Sequence, residues 1–62
     1  MLEILLQYII LLNKIRKAKM KGYEGIQVAS MYPINQKRLK ENGYSVYEPN
    51  IFRDYYVIRW VD

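Results

Sequence analysis

The chain opens on an apolar stretch, residues 2–12, broken only by Glu3 and Gln7, and then turns basic, with Lys14, Arg16, Lys17, Lys19 and Lys21. No Pro or Gly interrupts residues 2–21, and Gly22 stands where a left-handed residue would close a helix. The segment is therefore predicted as one long helix, its late lysines complementing the negative end of the helix dipole. Ile26 and Val28 then alternate with Gln27 and Ala29, a period of two that predicts a strand over 24–31. Gly25 at its start would permit a bend or a close approach of the helix. Pro33 suits the first turn of a second helix over 33–42, which Gly43 would end. Ile34 and Leu39 are its clear apolar residues, with Tyr32 expected to pack where it begins. Lys37, Arg38, Lys40 and Glu41 are expected to face water. Residues 44–48 read as a strand, Pro49-Asn50 breaks it, and residues 55–61 read as a third strand. The last two strands would form an antiparallel hairpin within 44–61. The order αβαββ predicts a small two-layer α+β domain over residues 1–62, with two helices on one face of a three-stranded sheet.

Around a helical wheel, Glu3, Gln7, Lys14, Lys17 and Lys21 collect on one side of the first helix. Its apolar arc is about 240° wide, where a core-facing stripe needs about 100°. One stripe, Ile4, Tyr8, Leu11, Ile15 and Ala18, extends furthest into the basic half and is expected to face the sheet. The other is Leu2, Leu6 and Ile9, with Leu5 and Leu12 at its boundary, and Ile10 sits near the polar side. Arg16 and Lys19 end this second stripe, so the surplus apolar surface is confined to the first three turns. The second helix is too poor in apolar residues to cover it. Leu2, Leu5, Leu6, Ile9 and Leu12 are therefore candidates for self-association or partner binding, a helix pair in a homodimer being the simplest closed arrangement.

Size strengthens that expectation. A chain of 62 residues makes one domain of marginal stability, and small folds are commonly braced by disulfides, a metal or a partner. Cys and His are both absent, which removes disulfides and the common zinc sites and leaves a homo-oligomer or another protein as the brace. The 52% hydrophobic content favours a packed core over disorder. The absence of Cys suits a reducing, cytoplasmic setting. The apolar run is too short to span a bilayer, which needs about 20 residues. Its charges follow it rather than precede it, unlike a secretory signal. Lying flat on an anionic membrane surface is a minor alternative.

The formal charge of +4 brings in a second class of partner. Lys14, Lys17, Lys21, Lys37, Arg38 and Lys40 could contact phosphate. Seven tyrosines are spread over the elements. If Tyr44, Val46, Tyr56, Ile58 and Trp60 face the helices, then Tyr47, Tyr55, Val57 and Arg59 face outward. Tyr47, Tyr55 and Arg59 would then form a second candidate surface, able to stack unpaired bases or to pack on a subunit. An RNP-type signature is missing.

Catalytic constellations are missing as well. There is no His base and no Cys nucleophile, and Ser30 and Ser45 lack a nucleophile-elbow setting. The carboxylates Glu3, Glu24, Glu41, Glu48, Asp54 and Asp62 are scattered singly, and the three glycines form no phosphate loop. No enzyme activity, cofactor or metal is expected.

A broader pattern runs over residues 18–60. Gly22 follows the long helix, Ile26 and Val28 form a short strand, and Pro33 opens a helix. Leu39, Gly43, Tyr44 and Val46 make Leu-x-x-x-Gly-Tyr-x-Val, and Ile58 and Trp60 make a terminal Ile-x-Trp. This resembles small uncharacterised bacteriophage accessory proteins, especially of phages with Gram-positive hosts. The resemblance implies a shared fold and a phage origin, and it carries no catalytic residues. The expected function is protein–protein binding that inhibits or modulates a host or anti-phage defence protein. The alternatives are a nucleic-acid-binding module and a self-associating virion component.

Overall fold

Helix α1 (Leu2–Met20) and helix α2 (Pro33–Glu41) end in the same way. After α1, the Tyr23 amide donates to the Ala18 carbonyl at 2.9 Å and the Gly22 amide to that of Lys19 at 3.0 Å. After α2, the Tyr44 amide donates to the Leu39 carbonyl at 3.0 Å and the Gly43 amide to that of Lys40 at 3.1 Å. Each pair of bonds is a Schellman closure, which satisfies carbonyls that a helix end leaves orphaned. The closure needs a left-handed residue, and Gly22 and Gly43 have φ of 84° and 91°. Each Gly-Tyr step then passes the chain to a strand, β1 (Gly25–Val28) after the first and β2 (Ser45–Tyr47) after the second. A third strand, β3 (Tyr56–Arg59), completes the computed structural model, which describes residues 2–61. Asp62 lies outside the described residues.

The sheet order is β1-β3-β2, with both outer strands antiparallel to β3. Ile58 stands at its centre, opposite Ile26 on one side and Val46 on the other, and is fully buried. α1 lies over β1, α2 lies over β2, and the two helices touch. The expected two-layer α+β architecture is the one observed. Leu11, Ile15 and Ala18 of α1 meet Leu39 of α2, and Val28, Met31, Ile58 and Trp60 fill the space between helices and sheet. Ile4 and Tyr8, expected on this stripe, are half-buried. Tyr44 meets Trp60 edge to face, with ring centres 6.3 Å apart.

Several expectations change in detail. The first strand stops at Val28 rather than running to residue 31, because Val28 pairs with Tyr56 and the chain bends at residues 54–55. Ala29 is thus not matched by a ladder partner; β2 likewise ends at Tyr47 ahead of Pro49, and β3 is confined to residues 56–59. A Cβ on Gly25 would sit 2.9 Å from the Ile58 carbonyl oxygen, so this glycine accommodates the neighbouring strand and not the helix. Arg38, expected in water, is half-buried with its guanidinium 5.6 Å from the centre of the Tyr8 ring.

The largest departure is polar. Asn35 and Gln36 take buried positions on α2, while Ile34 is exposed. The Asn35 side-chain amide donates to the Ile4 carbonyl at 2.8 Å and to Gln7 Oε1 at 2.9 Å. Gln7 Oε1 also accepts the Tyr32 amide at 2.9 Å, at the start of α2, where no side chain caps the helix. Gln7 therefore faces α2 rather than the solvent side shared with the lysines. Gln36 donates to Glu48 Oε1 at 2.9 Å and ties α2 to the end of β2.

Asn35 acts here as a donor to two acceptors, so removing its amide should be costly. Asn35→Ala is expected to lower unfolding free energy by about 2 kcal/mol. Asn35→Asp should cost more at pH 7, because a buried carboxylate would face acceptors only. Burial raises that carboxyl's folded-state pKa, so the added loss should shrink as pH falls towards 4. Urea unfolding midpoints of the three proteins at both pH values test this.

Candidate binding surface

A helix of 19 residues is about 28 Å long, while strands of three or four residues reach about 13 Å. The sheet can therefore seat only part of α1. It seats the C-terminal part, where Leu11, Ile15 and Ala18 are buried, and among residues 2–10 none is fully buried. On that overhang Leu2, Leu5, Leu6, Ile9, Ile10 and Leu12 are exposed, from 36% at Leu12 to 77% at Leu2. Leu2, Leu5, Ile9 and Leu12 are spaced three, four and three apart, the spacing of a coiled-coil seam. Arg16 follows in the same row and ends it in water. Ile34 of α2 is 46% exposed and joins Leu2, Ile4, Leu5 and Arg38 in lining an apolar cleft of about 470 Å³ between the helix starts.

This face combines rigidity with exposure. Its inner side is fixed to α2 through Asn35, Gln7 and the Arg38–Tyr8 stack. Its outer side presents branched apolar groups with few polar atoms. The chemistry available to it is non-directional burial against another apolar surface.

The second candidate surface is only partly assembled. Tyr47 and Arg59 share a cleft of about 510 Å³ with Glu24, Ser45 and Trp60. Arg59 reaches Glu24 Oε2 at 3.5 Å, an exposed ion pair that contributes little to stability. Tyr55 lies apart from this cleft, under the Arg53 guanidinium at 5.9 Å. The six candidate phosphate contacts also separate. Lys14, Lys17 and Lys21 border a groove along β1, whereas Lys37, Arg38 and Lys40 belong to α2 above β2. Lys19, a further cation, is held by aromatic rings, its Nζ lying 5.3 Å from the Tyr44 ring centre and 5.7 Å from that of Trp60.

Two exposed apolar features escaped the sequence reading. Ile34 looked like a core residue because it is the first apolar position of α2. Ile51 and Phe52, about nine-tenths exposed, cap a tight turn in which Asn50 and Arg53 exchange backbone bonds and Asn50 Oδ1 accepts the Phe52 amide at 2.8 Å. Pro49-Asn50 signalled that turn, and the two large apolar residues at its tip were the available clue. Among the described residues, no three of His, Cys, Asp and Glu gather as metal ligands, and no helix is long and apolar enough to cross a membrane.

The Arg38–Tyr8 stack separates two neighbouring cations of α2. Arg38→Ala is expected to lower stability by about 0.5–1 kcal/mol, whereas Lys37→Ala should stay within about 0.5 kcal/mol. Thermal melts of the two variants give the comparison. No family model, curated protein or solved structure matches the chain, so the geometry of this face carries the functional reading.

Proposed function

We propose that the chain is a non-enzymatic, phage-type accessory protein that works by protein–protein binding. It acts in the host cytoplasm as an inhibitor or modulator of a host or anti-phage defence protein. The first three turns of α1 are its docking face, and Leu2, Leu5, Leu6, Ile9 and Leu12 are its anchors. The observation that carries this reading is the exposure of those five residues on a helix otherwise fixed to its domain. Fully burying a Leu or Ile side chain contributes about 1.5–3 kcal/mol, so a partner covering half-exposed residues at five positions gains enough to offset the cost of association. The phage setting rests on the likeness over residues 18–60, which leaves the docking turns outside it. The same face also accounts for self-association, should the partner be a second copy.

Leu6→Glu combined with Ile9→Glu changes only exposed positions, so the variant should keep its fold and its circular dichroism. Its association, read by light scattering of the purified chain and by pull-down from host extract, should weaken at least about a hundredfold, as loss of two apolar anchors and burial of two charges requires. A wild type that stays monomeric at high concentration, captures no protein and binds no apolar dye would overturn the proposal.

A further inference from the structure

We infer that the free edge of β1 and the flank of α1 form a receptor groove for an extended acidic peptide, which adds to the sheet as a fourth strand. The site is distinct from the apolar face at the start of α1. β1 is an outer strand, bonded to β3 on one side only. The Trp60 amide donates to the Glu24 carbonyl at 3.1 Å. In the alternation of an antiparallel ladder, this places Ile26 and Val28 in the positions bonded to β3. The N–H and C=O groups of Gly25 and Gln27 then point to the open edge. Both residues line a groove of about 470 Å³, floored by Ile26 and bordered by Lys14, Lys17 and Lys21 of α1.

The charge of the groove selects the occupant. Lys14, Lys17 and Lys21 are three and four residues apart, so they form one row along the helix, about 10 Å long. No carboxylate lines the groove, and no ion pair among the described residues involves any of the three. An added strand would present alternate side chains towards the helix about 7 Å apart, so two carboxylates at alternate positions match the row. Main-chain bonds to Gly25 and Gln27 would supply affinity, and the lysines would supply preference for acidic sequence. A nucleic-acid strand could meet the lysines, but it has no peptide ladder to offer the edge.

The test uses the full isotope-labelled chain and a capped eight-residue peptide of alternating Thr and Glu. Binding should shift the amide resonances of Gly25 and Gln27 and slow their hydrogen exchange. The variant with Lys14→Gln, Lys17→Gln and Lys21→Gln should bind at least about tenfold more weakly. A peptide N-methylated on the edge-facing residues should lose binding, because it cannot form the ladder. The inference fails if the Thr-Glu peptide does not bind, or if the N-methylated peptide binds equally well. It also fails if a single-stranded oligothymidine shifts the same amides at lower concentration than the peptide does.

Discussion

The arrangement of this domain follows from a mismatch of lengths. Three short strands give an apolar platform about half as long as the helix laid across it. The platform is centred on Ile58, and it takes the turns of α1 that carry Leu11, Ile15 and Ala18. The preceding turns extend past its end. They stay helical because tertiary bonds hold them from one side, through Asn35, Gln7 and Arg38. A short isolated helix would be marginal in water. The exposed row is thus the outer face of an anchored overhang, which keeps the apolar groups in fixed relative positions.

The anchor is polar where an apolar contact would have been simpler. Asn35 is fully buried and spends its amide on two acceptors of α1, while its own Oδ1 is buried without a partner. An apolar residue there could pack against α1 in several registers, because Leu and Ile occur on all sides of its first turns. A directional bond to Gln7 admits one register. This is the service that a single buried polar residue performs in coiled coils, where it fixes alignment at a cost in stability.

Element types and order were legible because their signals are local. Gly22 and Gly43 mark both helix ends, Pro33 marks a helix start, and period-two alternation marks the strands. The inward stripe of α1 was legible because the basic residues after position 13 remove its rivals. What stayed hidden depends on partners distant in sequence. β1 ends at Val28 because β3 begins opposite it, at Tyr56, which nothing within residues 24–31 can indicate. Gln7 looked solvated because the residue that claims it lies 28 positions away. The outward row was legible as surplus, whereas the split of the lysines between two flanks required knowing which helix lies over which strand.

The strand order has a consequence in time. β1 and β2 do not touch each other, and each is held in the sheet by β3 alone. β3 is also the last of the three to leave the ribosome. Until it is made, both earlier strands lack a partner, and Leu39 and Ile15 have no Ile58 to close over. The two helices can form as they emerge, but the sheet assembles in one step around its final strand, after nearly all of the described chain has been synthesised. During that interval the nascent chain carries both an uncovered helix face and two unpaired strands, the state in which a small apolar protein is most open to capture by a chaperone or by a sister chain.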